Sequence, residues 1–272
     1  IIFDYLEVFV STQRNNSGFQ LSDSNWLENH HNAKKDLRYD FAKNLALRNP
    51  KSIVDIGCGT GLWLSTFNEL LPKDCNFIGI DLDEDSLAKA KSKSKNWDRK
   101  CEWIKLDINK EPEKIPAADL TLIFNFSSYI ENLDFVFETL SKERGFKEIA
   151  LRQFAGDEIK FGPFSPEIQT LINNSVKNSI GASRQIRYYD MDRLIDSTSN
   201  SQRKIIYQDF ELYKAFSPFG SHNFPYIKGT VNWTLDRVSE NEKPVILDWL
   251  DMANCDEKLL YFFSLDWVAL LQ

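Results

Sequence analysis

A short strand that ends in a glycine turn constrains the fold of this chain more than any other feature. Residues 53–56 are β-branched and apolar apart from Asp55, which is typical of a buried parallel strand. Residues 57–61 hold three glycines at alternate positions, and from Leu62 the apolar residues recur at helical spacing. A strand, a glycine turn and a helix in this order predict an open α/β sheet. Its ligand site would lie at the carboxyl end of the strand.

The spacing of the turn separates two classes of ligand. A dinucleotide-binding turn would carry a third glycine where Leu62 stands. Asp55 lies two residues before Gly57, and a carboxylate there is unfavourable beside a pyrophosphate. The same carboxylate suits a ligand that has a cationic end. A nicotinamide oxidoreductase is therefore disfavoured.

The turn also resembles a known family motif. Residues 54–61, with the sequence VDIGCGTG, resemble motif I of the class I S-adenosylmethionine-dependent methyltransferases. The resemblance implies S-adenosyl-L-methionine as the cofactor. Sequence motifs support the resemblance over residues 26–154. Beyond that range the resemblance rests only on the predicted architecture.

Acids end the next two predicted strands. Asp81 lies about 24 residues after Gly57, the distance at which an acid meets a ribose in nucleotide-binding βαβ units. Its alternative role is to cap the helix that begins near Asp83. Asp107 ends the third strand, and the resemblance implies that an acid here contacts the adenine amino group while the next backbone amide contacts the ring. The alternative role of Asp107 is to cap a loop.

The fourth predicted strand, residues 118–126, is almost continuously apolar and therefore central. It ends in Asn125 and Phe126, which resemble the family motif that passes the reacting methyl group. The Pro-Pro pair of the enzymes that methylate nucleic-acid amino groups is missing, which disfavours that activity. The resemblance also implies that a helix within residues 26–47 covers the cofactor, with Arg38 at its methionine end. The predicted cofactor-binding residues are Arg38, Asp55, Gly57, Cys58, Gly59, Thr60, Gly61, Asp81, Leu82, Asp107, Ile108, Asn125 and Phe126.

Strands alternate with helices up to residue 154, which predicts a doubly wound α/β fold. The expected sheet has seven strands, mostly parallel with the last one antiparallel, and helices on both faces. Residues 1–25 form an N-terminal extension to one domain over residues 26–272. Its cofactor half is 26–154 and its substrate-side half is 155–272. A helical insertion between the last two strands predicts a lid at residues 217–255.

Methyl transfer mainly requires that donor and acceptor are held in line, and a base helps only when the acceptor is protonated. No catalytic triad or metal is therefore required. Tyr129 and His222 are weak candidates for catalysis. The candidate acceptor-binding residues, each of which has a structural alternative, are Tyr129, Arg152, Arg184, Tyr188, Tyr189 and Trp233.

Composition narrows the function further. The net charge of −7 disfavours nucleic acid and anionic membranes as partners, and no apolar run approaches the length of a membrane span. The four cysteines lack metal-ligand spacing and suit a reducing cytoplasm.

The sequence therefore predicts a methyltransferase that acts on an oxygen or nitrogen atom of a small molecule or peptide. A protein or RNA methyltransferase and a non-catalytic cofactor-binding subunit are the alternatives. The oligomeric state stays open. The N-terminal boundary also stays open, because the chain does not begin with Met.

Overall fold

The computed structural model describes residues 24–142, 145–156, 158–182, 191–253 and 258–272. The strands are β1 (Ser52–Ile56), β2 (Asn76–Asp81), β3 (Cys101–Lys105), β4 (Leu120–Phe124), β5 (Glu148–Phe154), β6 (Lys160–Gly162), β7 (Ile205–Phe216) and β8 (Tyr261–Leu271). The helices are α1 (Ser24–Ala33), α2 (Lys35–Ala46), α3 (Leu62–Leu70), α4 (Glu84–Lys93), α5 (Leu133–Lys142), α6 (Pro166–Ala182), α7 (Met191–Asn200), α8 (Phe224–Leu235) and α9 (Lys243–Met252). The predicted N-terminal extension lies outside the described residues except for Ser24 and Asn25, which begin α1.

The sheet confirms the predicted doubly wound architecture. Strands β1 to β5 run parallel in the order β3-β2-β1-β4-β5. The last strand, β8, runs antiparallel between β5 and β7. A short eighth strand, β6, also pairs with β8 and was not predicted. Three residues are too few to leave a periodic signal in the sequence.

Helices cover both faces of the sheet. Successive side chains of a strand point to opposite faces, so a buried strand contributes apolar residues to a core on each side. Val54 and Ile56 of β1 join one core with α5, α7 and the ends of β5 and β8. Ile53 joins the other core, which includes Phe41 of α2 and Phe67 of α3. Both faces of β1 are thus buried, as its apolar composition predicts.

The hairpin of β7 and β8 extends beyond the carboxyl edge of the parallel strands. Phe154, the last residue of β5, pairs with Asp266, so residues 261–265 of β8 lie past that edge. There they pair with β6 on one side and with β7 on the other. The helices α6, α8 and α9 pack on this extension.

The predicted lid contains α8 and α9, and both helices belong to a third packed core. Tyr226, Val231 and Trp249 are buried there against β6, α6 and the β7–β8 extension. The indole Nε1 of Trp249 donates a 2.9 Å hydrogen bond to the carbonyl of Gly162. The described part of this insertion is therefore an integral layer of the fold. None of the described helices combines the length and apolarity that crossing a bilayer requires.

Candidate functional site

A cleft opens at the carboxyl ends of β1, β2, β3 and β4, under α1 and α2. Its empty volume is about 1030 Å³ including the solvent-open mouth. The lining residues come from the loops that follow these strands and from the two helices. They are Leu27, His30, Arg38, Gly57, Cys58, Gly59, Thr60, Leu62, Trp63, Asp81, Leu82, Asp83, Ser86, Leu106, Asp107, Ile108, Asn109, Phe124, Asn125, Phe126 and Tyr129.

The glycine turn forms the floor of the cleft. The amides of Gly57 and Cys58 both donate to the carbonyl of Ile80, at 2.8 and 2.9 Å, which ties the turn to β2. Gly57 has φ +74°, a conformation that side chains oppose. A Cβ on Gly57 would lie 2.1 Å from Cδ2 of Phe126. Glycine is therefore required here by backbone conformation and by the neighbouring ring.

Asp81 fixes the geometry of the turn from the end of β2. Its Oδ2 accepts a 2.7 Å hydrogen bond from the amide of Gly59, and its Oδ1 accepts one of 2.9 Å from Asp83. The helix cap is supplied by Asp83, whose carboxylate accepts from the amides of Asp85 and Ser86. The capping role that was the alternative for Asp81 thus belongs to Asp83. Asp81 lines the cleft with lone pairs still available to a ligand.

The loop after β3 holds the second acid. Asp107 accepts from the amide of Asn109 at 3.2 Å and pairs with Lys110 at 3.2 Å. The side chain of Asn109 reaches across to the loop after β4. It donates to the carbonyl of Tyr129 at 2.9 Å and accepts from the amide of Glu131 at 2.9 Å. Asn109 therefore fixes the spacing between the two loops that form one wall of the cleft.

The end of β4 is shaped by Asn125, which has φ +52°. Its amide donates to the carbonyl of Arg152 at 2.7 Å, and its Oδ1 accepts from the amide of Phe154 at 3.1 Å. These bonds hold the ends of β4 and β5 together. The next residues, Phe126 and Tyr129, stack with ring centroids 5.7 Å apart and give the cleft an aromatic wall.

Asp55 and Gly61 are the two predicted cofactor residues that do not line the cleft. Gly61 packs instead, since a Cβ there would lie 3.0 Å from Trp103 and 3.2 Å from Ala90. Asp55 is buried beneath the turn, and its Oδ2 has no hydrogen-bond partner among the described residues. Burial, with a smaller effect from Asp81, raises the pKa of Asp55 to about 8. At neutral pH this carboxyl therefore holds a proton.

The raised pKa of Asp55 predicts an unusual pH dependence of stability. The folded protein binds this proton up to about pH 8, whereas an unfolded chain releases it near pH 4. Stability therefore falls as pH rises between these values, by at most about 1.4 kcal/mol per pH unit. We expect Asp55→Asn to remove this slope. The free energy of unfolding of the variant, relative to that of the wild type, should therefore rise from pH 5 to pH 8. Urea unfolding at several pH values measures the difference, and parallel curves for the two proteins would contradict the expectation.

A buried ion cluster borders the cleft on the side of α1 and α2. Lys34 pairs with Asp266, and Arg152 pairs with Asp266 at 3.2 Å and with Glu211 at 2.7 Å. Arg38, the fifth member, lines the cleft; its guanidinium lies 5.2 Å from the ring centroid of Trp63. The cluster has three cations and two anions. Its positive excess and the Nε of Arg38, which lacks a partner within the described chain, suit an anionic group of a ligand.

His31 positions Arg38. Its Nδ1 lies 2.8 Å from Nη1 of Arg38. Burial, with the nearby charge of Arg38, lowers the pKa of His31 to about 3. The ring is therefore neutral at physiological pH and accepts this bond from the guanidinium.

The structure brings some of the candidate acceptor residues to the cleft and leaves others away from it. Tyr129 lines the cleft. Arg152 is fully buried in the ion cluster, which is a structural position, and Trp233 stacks under Arg237 at 3.8 Å outside the cleft. His222 is exposed in the turn before α8. Arg184, Tyr188 and Tyr189 lie outside the described residues.

Sequence reasoning missed several lining residues, of which His30 and Trp63 are chemically the most distinctive. Both lie on helices, and neither belongs to a recognisable motif. Trp63 lies two residues after the last glycine of the turn, and this position in the first turn of α3 was the available signal. His30 offered no local signal, because two of its three ring neighbours come from β5 and α8. Among the described residues no group of three potential metal ligands occurs.

Comparisons with known proteins find a matching family model and a similar curated sequence. Residues 54–142 match the family model described as a methyltransferase domain. Malonyl-[acyl-carrier protein] O-methyltransferase from Legionella pneumophila is 31% identical over 93 residues, which cover 34% of this chain. The match spans 32% of that relative's own length.

Two solved structures are similar over most of the chain. A protein assigned as a methyltransferase from Bacillus halodurans has 11% identity and a TM-score of 0.51, and the match covers 86% of this chain and 97% of that one. The plantazolicin methyltransferase, solved with S-adenosylhomocysteine, has 18% identity and a TM-score of 0.44 over 90% of this chain and 87% of that one. The first likeness agrees with the fold described above.

Proposed function

We propose that this chain is a class I S-adenosylmethionine-dependent methyltransferase, and that it moves a methyl group from S-adenosyl-L-methionine to an oxygen or nitrogen atom of a small molecule or peptide. The observation that carries the proposal is the cleft. The glycine turn and the strand-end acids Asp81 and Asp107 border one space there. This arrangement suits a nucleoside with an amino-acid tail and no phosphate.

The residues of the cleft fit the parts of this cofactor. Asp81 would accept from the ribose hydroxyls, and Asp107 with the amide of Ile108 would hold the adenine. Arg38 would pair with the carboxylate at the methionine end, where the ion cluster has its positive excess. The hydroxyl of Thr60 is buried on the turn without a partner in the described structure, so it is also available to a ligand. The cofactor supplies a methyl group already activated on a sulfonium.

The acceptor would enter beside the aromatic wall of Phe126 and Tyr129. The name of the Legionella relative identifies an O-methyltransferase, which supports an oxygen acceptor. The net charge of −7 disfavours RNA. The three cysteines of the described chain are free thiols, which supports a reducing cytoplasm as the location. A non-catalytic cofactor-binding subunit is the alternative that the experiments below separate.

Cofactor choice and the role of Asp81 are tested together by calorimetry. The wild-type protein should bind S-adenosylhomocysteine and show no heat with NAD. Asp81→Ala removes charge-assisted hydrogen bonds worth about 1.5–3 kcal/mol each. We therefore expect at least a roughly tenfold loss of S-adenosylhomocysteine affinity, since about 1.4 kcal/mol is one decade. Asp85→Ala, which changes an exposed acid of α4 outside the cleft, is the matched control and should bind like the wild type.

Binding of NAD in place of S-adenosylhomocysteine would overturn the proposal. Turnover is then measured as S-adenosylhomocysteine release with a panel of phenols, carboxylic acids, amines and short peptides. Turnover with one class identifies the acceptor. Tight cofactor binding with no turnover on any class would favour the non-catalytic subunit.

A further inference from the structure

His30 is a cleft residue that the assigned functions leave unused. It lies on α1 and lines the cleft together with Leu27 and Arg38. Its Nε2 is buried and has no hydrogen-bond partner within the described parts of the chain. A buried ring nitrogen without a partner is costly unless a ligand completes it. The cleft is the space from which such a ligand can come.

Aromatic rings hold the imidazole in one orientation. The ring of Tyr226 stacks on it with centroids 5.1 Å apart and an interplanar angle of 10°. Trp26 stacks at 6.0 Å, and Phe154 approaches edge-on at 6.2 Å. These contacts come from α1, β5 and α8. The nitrogen is therefore presented by a rigid setting, as catalytic geometry requires.

The charges around His30 keep it neutral. Burial and the cations Arg38, Lys34 and Arg152 lower its pKa well below the usual value. His31 on the same helix adds to this effect, whereas Asp266 on β8 offsets part of the positive charge. Tyr226 on α8 is protonated, because burial raises its pKa. An uncharged imidazole has one ring nitrogen that can accept a proton.

We propose that Nε2 of His30 accepts the proton of the acceptor's O–H or N–H group during methyl transfer. This inference rests on the proposed function and adds a residue and an acceptor class to it. The acceptor class is a planar aromatic group that carries a protonated oxygen or nitrogen, because the cleft that His30 lines also has an aromatic wall of Phe126 and Tyr129.

The step is balanced in atoms and charge. The acceptor oxygen forms a bond to the methyl carbon while the carbon–sulfur bond breaks and its electron pair stays on sulfur. The O–H proton moves to Nε2. One positive charge disappears at sulfur as one appears on the imidazolium, so the net charge of the buried site is unchanged. The three neighbouring cations then favour release of the proton to solvent.

The first experiment reads the nitrogen directly by ¹⁵N NMR of histidine-labelled protein with bound S-adenosylhomocysteine. We expect His30 to be neutral at pH 7 with Nε2 unprotonated. Phenol should shift the Nε2 resonance through an O–H hydrogen bond, and anisole, which lacks the donor, should not. A hydrogen on Nε2, or a resonance that is the same with and without phenol, would overturn the proposal.

The second experiment separates proton transfer from packing. His30→Phe keeps a stacked ring without nitrogen. Glu28→Gln is the matched control, because Glu28 is an exposed residue of the same helix outside the cleft. Methylation of phenol, which is protonated at pH 8.5, should fall at least a hundredfold in His30→Phe. Methylation of 4-nitrophenol, which is ionised at that pH, should fall less than about fivefold. An equal loss on both acceptors would assign His30 a purely structural role.

The proposed function itself would be contradicted by a different result, the absence of S-adenosylhomocysteine binding to the wild-type protein. If the wild type binds the cofactor but methylates neither phenol nor 4-nitrophenol, the aromatic acceptor class is wrong. A melting temperature of His30→Phe close to that of the wild type ensures that lost activity is not lost folding.

Discussion

Gly57→Ala is expected to weaken S-adenosylhomocysteine binding by at least about a hundredfold, or ~2.7 kcal/mol. The new Cβ would lie 2.1 Å from the ring of Phe126, and φ of +74° opposes any side chain at this position. Relief of the clash must move Phe126 into the cleft that it lines or pull the turn away from β2. Either movement displaces the amides and the ring against which the cofactor would bind.

The matched control for Gly57→Ala is Gly220→Ala. Gly220 lies in the loop before α8, and a Cβ there would meet no atom within 4 Å. We expect its affinity and melting temperature to equal those of the wild type. The measurement is calorimetric titration with S-adenosylhomocysteine. Wild-type affinity in a folded Gly57→Ala protein would show that the turn does not hold the cofactor.

Asp266→Asn should lower stability by about 3–5 kcal/mol, because it leaves buried cations without their partner. Asp266 is fully buried between Lys34 and Arg152. Although burial alone would raise its pKa, Arg152 and Lys34 hold the pKa below the usual value, so the carboxylate is charged at neutral pH. The melting temperature should fall by roughly 6–20 °C for a chain of this size. Thermal unfolding followed by circular dichroism provides the measurement.

The loss in Asp266→Asn should depend on pH with a definite sign. Burial lowers the pKa of Lys34 to about 8 even beside Asp266, and loss of this carboxylate lowers it further. A lysine whose pKa is lower in the folded state binds fewer protons there, so its unfavourable effect fades as pH rises. The deficit against wild type should therefore be smaller at pH 9 than at pH 7. Asp74→Asn, which breaks the exposed pair with Lys51, serves as control and should change little at either pH. An equally small loss in both variants would contradict the role of the buried cluster.

Local patterns were sufficient to predict most of the fold and much of the cleft. The parallel strands are short apolar runs, and the order of strand, glycine turn and helix marks the ligand edge of the sheet. Asp81 and Asp107 were found because each ends a strand, and the ends of neighbouring parallel strands meet at one edge. Such positions follow from sequence because only nearby residues determine them.

Positions that depend on distant partners could not be predicted. Arg152 was a candidate acceptor residue because it lies near the end of β5. Its partner Glu211 is 59 positions away, and the pair Lys34–Asp266 spans 232 positions. His30 shows the opposite error, because it was not predicted to be a site residue. It belongs to no motif, and contacts with α8 and β5 hold its ring at the cleft. Asp55 was expected at the ligand, yet its strand places it beneath the turn.

The position of β8 also has a consequence for how fast the chain folds. Ile149 of β5 pairs with Leu271, more than 120 positions later, whereas the β1–β2 and β2–β3 pairs join residues only 24 positions apart (Ser52 with Asn76, and Phe77 with Cys101). Closing so long a loop costs conformational entropy before the native contacts form, and such non-local pairing therefore slows folding. We therefore expect the pairing of β8 to come late along the folding route. Substitutions at the β5–β8 border should then mainly accelerate unfolding and leave the refolding rate nearly unchanged.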